Sequence, residues 1–237
     1  MDVKIEHEIQ TLWREGDILI YGLTGQAGAG KTSSAEEVVS HLREQNIPAA
    51  SLGLDAYFIL SSAERKAWLA EGERVSPAEG KRRRNQLLWW DFQALQCDLL
   101  HFKQGEPIQL RGVYNREDKG EKTRNIDIVP DERRGFVLVL EGVALAHVEV
   151  LDGLAYVHAP ADVRYLRIQM RDSARRPIPA EAWNRFRLTQ EFEIPYFRAH
   201  WEKIRCFFDN SNGVGPLKVS ILSPEEALND LERPPLL

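Results

Sequence analysis

The 237 residues carry 31 basic and 36 acidic side chains, a formal net charge of −5, with 43% hydrophobic and 28% charged residues. That composition suits a single α/β domain with a sizeable core and gives a nucleic-acid partner no global electrostatic support. Two widely separated cysteines, Cys97 and Cys206, do not indicate a disulfide framework; from the charged start at Asp2, Lys4, Glu6 and Glu8 we expect no secretory leader; no apolar run reaches membrane-span length, so we expect a cytoplasmic chain without a membrane partner. Residues 1–15 read as an amphipathic helix with Ile5, Ile9, Leu12 and Trp13 on one face. Asp17–Leu23 is an apolar run suited to a buried parallel strand.

The stretch Gly25-Gln26-Ala27-Gly28-Ala29-Gly30-Lys31-Thr32 follows, and it fits G-x-x-x-x-G-K-[ST]. Glycines let the backbone wrap an anion, and successive N–H groups then form a nest for phosphate oxygens. Lys31 brings a point charge to the β- and γ-phosphates and is expected outside the core, while the Thr32 hydroxyl can ligate Mg²⁺. A helix from Thr32 to Arg43, with Ala35, Val38, Val39 and Leu42 on its apolar face, completes the strand–loop–helix anion site. We therefore expect residues 25–32, with Ser33 just beyond, to bind nucleotide phosphates, with ATP and Mg²⁺ as the cofactors.

Pro48–Leu54 reads as a second strand that ends at Asp55, where open α/β sheets place their ligands. Ser61 or Ser62 caps a helix through Leu69, with Glu64 completing a capping box. The polar segment Glu71–Asn85 closes on Lys81-Arg82-Arg83-Arg84, read as a solvated face. Asp91 caps a helix to Phe102. Ile108–Val113 and Ile126–Val129 are two extended pieces that predict a small β-hairpin arm over about residues 105–130.

Phe136–Leu140 is a continuously apolar core strand that ends in Glu141-Gly142, the place of a metal-side acid in P-loop enzymes. Leu154–Ala159 is a further buried strand, and Ala161–Asp172 a helix on which Arg164 and Arg167 are read as solvated. Arg171, Arg175 and Arg176 surround a break, as a lid over about residues 171–180 would. Glu181 to Arg205 reads as one long helix or two, interrupted near Pro195. A turn over Asn210–Gly215, a last strand over Leu217–Leu222 and a short helix from Pro224 to Leu231 finish the chain. The alternation predicts a doubly wound, mostly parallel sheet of the P-loop NTPase type in three α/β/α layers, with a helical lid and the hairpin arm. It is read as one domain with a core over about residues 17–223.

Gly25-x-x-Gly28-x-Gly30-Lys31-Thr32, Asp55-Ala56-Tyr57-Phe58, Glu141-Gly142 and Arg171-Asp172-x-x-Arg175-Arg176 occur in that order over roughly residues 17 to 180. Together they resemble the uridine kinase and phosphoribulokinase family of P-loop kinases, which includes pantothenate and glycerate kinases. The resemblance implies Asp55 as base for an acceptor hydroxyl, with a share in the metal shell. It implies Glu141 beside Mg²⁺ and the acceptor, Arg171 and Arg175 on the nucleotide phosphates, and Tyr57 and Tyr114 at the acceptor pocket. Asn115 stands where the family has Asp after the tyrosine, no proline stands two before Tyr114, and Tyr57-Phe58 inverts the family's Phe-Tyr. These departures concern the acceptor, which stays open between nucleoside, sugar phosphate, pantothenate and glycerate types. Catalysis is expected from Lys31, Asp55 and Arg171, with a small-molecule acceptor as partner and room for a homodimer. A P-loop ATPase or a nucleotide-binding regulator without an acceptor is the competing reading.

Overall fold

Alternation along the central strands sets the layering. The computed structural model describes residues 5–131, 133–172, 179–211 and 220–234. The chain divides into two compact units, one of Met1–Leu52 with Asp131–Leu237 and one of Gly53–Pro130. In the first, β1 (Ile18–Thr24) lies between β5 (Phe136–Glu141) and β6 (Gly153–His158) and is parallel to both. The six-stranded order is β2-β5-β1-β6-β7-β8, with β2 at Ala49–Gly53, β7 at Cys206–Asp209 and β8 at Ser220–Ile221. β7 runs parallel to β6, and β8 is antiparallel to β7.

Leu19, Tyr21, Leu23, Val137, Val139, Ala155, Val157 and Phe208 share one face of this sheet. They form one core cluster with Ile5 and Ile9 of α1 (Ile5–Leu12) and with Ala35, Val38, Val39 and Leu42 of α2 (Lys31–Glu44). The alternate residue Tyr156 turns to the other face and meets Phe197 of α7 (Pro179–His200), ring centroids 5.0 Å apart. Helices thus cover both faces, as a mostly parallel sheet requires. The flanking α6 spans Ala161–Asp172, and α8 spans Pro224–Asp230.

One expectation is corrected, and one element was not foreseen. α7 runs through Pro195 without interruption. Proline removes one helix hydrogen bond, but Tyr196 and Phe197 are buried immediately after it, and their packing carries the helix across the gap. β7 went unforeseen, because four residues following a long helix are too short for periodicity to register. Of the expected strand over Leu217–Leu222, Ser220–Ile221 are strand, and the residues before them lie outside those described.

The second unit begins with a 3₁₀ turn at Leu54–Tyr57, directly after β2. It continues with α3 (Ser62–Val75), α4 (Pro77–Arg84), α5 (Phe92–Lys103) and a hairpin of β3 (Ile108–Asn115) with β4 (Glu121–Ile128). Ser61 and Glu64 make the expected capping box on α3, and the Asp91 side chain accepts from Ala94 N–H to cap α5. The hairpin bulges between Leu110 and Val113, where Gly112 has φ 57°. The basic run is not wholly solvated. The Arg83 side chain is only 14% exposed, with Nε on Glu79 at 2.7 Å and Nη1 on the Trp68 carbonyl at 2.6 Å. Four cations in the last turn of α4 also meet the negative end of its dipole, so the run holds α3 and α4 together.

Candidate active site

Residues 25–30 pass from the end of β1 to the N-terminus of α2. Gly30 is the cap residue of α2, with φ 95° and no side-chain cap, which leaves the first N–H groups of the helix open to an anion. The outer carbonyls of the loop are tied down instead. Arg167 Nη1 donates to Gly28 O at 3.4 Å and Ala29 O at 3.2 Å, and Asn210 Nδ2 donates to Ala29 O at 2.8 Å. The Gln26 side chain is buried. Its Nε2 donates to Gln190 Oε1 at 2.8 Å, and its Oε1 accepts from Tyr156 OH at 3.4 Å.

Lys31 departs from expectation in being buried, 8% exposed. Its ammonium donates to Gly25 O at 2.9 Å and Gln26 O at 3.1 Å, so the loop's own carbonyls hold it. Thr32 Oγ1 donates to Glu141 Oε1 at 3.0 Å. Parallel pairing of Leu23 with Glu141 puts both residues at the carboxyl ends of neighbouring strands. A hydroxyl beside a carboxylate is a hard-oxygen donor set and suits Mg²⁺, which binds through one or two carboxylates while keeping water and phosphate ligands. Among the described residues, no group of three or more His, Cys, Asp or Glu could hold a metal by itself.

Arg164 and Arg167 are the clearest misreading. Arg164 is 1% exposed; its Nε donates to Ala159 O at 3.0 Å and both Nη atoms to Gln190 Oε1 at 3.2 Å. Burial lowers its pKa from the ordinary value. A signal existed in the sequence. Ala161, Arg164 and Ile168 share one helical stripe at i, i+3, i+7, so an arginine there faces inward. Gln190 and Glu193 likewise continue the buried stripe of Phe186 and Phe197 on α7. His158 is buried with Nε2 3.2 Å from Asp230, and burial lowers its pKa. Arg171 is exposed at the end of α6, whereas Arg175, Arg176 and the break between them and α7 lie outside the described residues.

Loop geometry supplies one prediction. Gly28 has φ 83°, and a Cβ there would come within 2.5 Å of the Arg164 carbonyl oxygen. The left-handed backbone alone costs a non-glycine residue about 1–2 kcal/mol, and the contact adds to it. Gly28→Ala is expected to weaken ATP binding by about tenfold or more, read by calorimetric titration, and to lower the melting temperature. Unchanged affinity would mean that the loop is not held against α6 in this way.

Asp55, Tyr57 and Tyr114, the residues expected on the acceptor side, belong to the second unit, and Glu141 to the first. Asp55 lies in the turn after β2, its side chain about one third exposed and paired with Arg116 Nη2 at 2.5 Å. Tyr57 is buried, its hydroxyl donating to Asp98 Oδ2 at 2.8 Å, and burial raises its pKa. Tyr114 OH is 3.2 Å from Ser62 Oγ, and its ring meets Phe58 edge-on at 4.9 Å. Phe58 stacks on Trp90 at 5.3 Å and carries the Arg65 guanidinium 3.9 Å above its centroid. Its ring faces are therefore already occupied. Arg65 and Arg116 were not foreseen as neighbours of this site. Arg116 reaches Asp55 from 61 residues further along the chain, so nothing local marks it, whereas Arg65 lies close beyond Phe58 in the chain, within reach of a local reading.

A family model described as Phosphoribulokinase / Uridine kinase family matches residues 20–184. A uridine kinase of Brevibacillus brevis is 24% identical over 162 residues, 66% of this chain and 67% of that protein. The crystal structure of phosphoribulokinase from Rhodobacter spheroides superposes with a TM-score of 0.58 at 14% identity, covering 82% of this chain and 70% of that one. A protein provisionally described as a fructose transport system kinase, from Silicibacter sp. TM1040, superposes with a TM-score of 0.59 at 16% identity, covering 85% and 94%. At such identities the structural likeness supports the three-layer P-loop kinase fold alone.

Proposed function

The chain belongs to the phosphoribulokinase / uridine kinase family, and from that membership we propose that it is an ATP-dependent kinase that transfers the γ-phosphoryl group to a hydroxyl of a small molecule. The observation that carries the reading is the Thr32–Glu141 contact at the carboxyl ends of β1 and β5, directly after a glycine loop whose lysine is held at hand. Phosphoryl transfer needs positioning and charge neutralisation more than covalent chemistry. Gly25, Gln26, Gly28, Gly30, Thr32 and Ser33 provide backbone N–H groups for the phosphates, and Ala27 and Ala29 shape the loop between them. Lys31 leaves the loop carbonyls for the β- and γ-phosphates and stabilises the charge that grows there. Mg²⁺, when bound, supplies Lewis-acid neutralisation of the phosphate oxygens, and Thr32 and Glu141 are the residues to hold it. Arg171 and Arg175 add positive charge from the end of α6 onward. Asp55, paired with Arg116, takes the acceptor's proton, and Tyr57 and Tyr114 shape the acceptor side.

A single screen tests this. ADP release is measured with ATP and Mg²⁺, alone and with a nucleoside, a sugar phosphate, pantothenate or glycerate. Acceptor-dependent release by one of these is the expected result. Acceptor-independent turnover would turn the reading to an ATPase, and tight nucleotide binding without any turnover would turn it to a regulatory protein.

A further inference from the structure

The phosphate loop is gripped by a carboxylate that none of the roles above uses. Ala27 N–H donates to Glu193 Oε2 at 3.1 Å, and Gln190, one turn earlier on α7, donates to the same oxygen at 3.3 Å. Gln190 Oε1 in turn accepts from Gln26 and from Arg164. Glu193 is 1% exposed, and its Oε1 is buried with no hydrogen-bond partner among the described residues. Packing alone does not call for this group, since an apolar residue of similar volume would fill the stripe of α7 without desolvating a carboxyl. An anion-binding loop that spends one of its N–H groups on an internal carboxylate is also electrostatically self-opposed once phosphates arrive.

We infer that Glu193 is a positioning residue for nucleotide binding: from α7 it fixes the Gln26–Ala27 corner of the phosphate loop, and it takes up a proton from solvent when the nucleotide's phosphates enter. The inference rests on the reading of residues 25–32 as the nucleotide site. The charged and titratable groups around Glu193 are Lys31 from α2, Arg164 from α6 and the Tyr156 phenol from β6. Burial raises the pKa of Glu193 above the ordinary glutamate value, while the positive charges of Lys31 and Arg164 oppose that rise. Nucleotide draws Lys31 toward the phosphates and brings negative charge close by, so the opposition weakens and the acid form gains. A carboxyl whose pKa is higher in the complex than in the free chain binds a proton on complex formation. ATP affinity then falls as pH rises between those two values.

The test uses the full chain, an ATP analogue with Mg²⁺, and calorimetric titration at pH 6 and pH 8. Glu193→Ala leaves Ala27 N–H without its acceptor and unfastens the corner, so its Kd should rise about tenfold. Its kcat at saturating ATP should change far less, because the contact is equal in ground and transition states. Glu193→Gln keeps an acceptor oxygen and mimics the protonated acid. It should recover most of the affinity at pH 6 and show a smaller loss of affinity toward pH 8 than the native chain. Native affinity in Glu193→Ala, equal damage in both variants, or the same pH dependence in Glu193→Gln and the native chain would each overturn the inference. Where Glu193→Ala does not fold, the pH comparison with Glu193→Gln decides. A native chain that binds no nucleotide sinks the kinase reading as well, whereas a native chain that binds it while Glu193→Ala is unaffected sinks this inference alone.

Discussion

Lys31→Ala is expected to lose on the order of 100-fold or more in turnover, the scale of removing one electrostatic stabiliser of a developing charge. The lysine donates to the carbonyls of Gly25 and Gln26. In the proposed mechanism it gives up those contacts for phosphate oxygens. Because the side chain is buried, its removal also reaches the free chain: two loop carbonyls lose a donor, at a cost of about 1–3 kcal/mol. The variant should therefore melt at a lower temperature while keeping the native circular-dichroism spectrum. Initial rates with saturating ATP and the acceptor identified by the screen, set beside the melting curve, separate the two effects. A folded variant with near-native turnover would show that the loop does not hold the transferring phosphates.

What the sequence made legible was whatever is local. The strand–glycine loop–helix unit, the capping residues Ser61 and Asp91, the apolar run ending at Glu141 and the hairpin arm are each set by neighbours in the chain. The hairpin strands came out longer than read, because the pieces beyond the apolar core of each strand are polar and pair mainly through backbone. What stayed hidden is the support of the phosphate loop. Gln190 and Glu193 lie more than 160 residues beyond the loop they hold, and polar residues on a long helix read as solvated until the neighbouring stripe is known to be buried. Arg164 was misread for the same reason, with the stripe position of Ala161 and Ile168 as the overlooked sign.

The same contrast shapes the chemistry. The groups proposed to meet the phosphates at residues 25–33 are local and largely backbone-based, so a short motif encodes them. The groups that hold the loop in shape are long side chains from α6 and α7, and their positions are set by the sheet order rather than by any motif. Preorganisation of an anion site lowers the free-energy cost of binding, because the loop need not be ordered by the ligand. Variants of Gly28 or Glu193 are therefore expected in the affinity for ATP, and variants of the reacting side chains in the rate.

Asp55→Asn belongs to the second kind and tests the kinase reading most directly. A general base contributes typically about 10²–10⁴-fold, and acceptor phosphorylation should fall by that order. Asparagine keeps the size of the side chain and a carbonyl oxygen for Arg116 but cannot take the acceptor's proton. The ion pair it weakens is partly exposed, and such pairs are worth at most about 1 kcal/mol, so the fold should survive. ATP affinity should survive too, since the phosphate contacts proposed for residues 25–32 do not involve the Asp55 side chain. Intact nucleotide binding with lost transfer is the expected combination, measured by titration of the ATP analogue with Mg²⁺ and by single-turnover transfer to the acceptor. If the variant also loses Mg²⁺-dependent nucleotide binding, Asp55 acts chiefly through the metal and the base lies elsewhere. If it keeps both binding and transfer, the acceptor hydroxyl needs no base at this position, and Asp55 and Arg116 form a structural pair at the turn after β2.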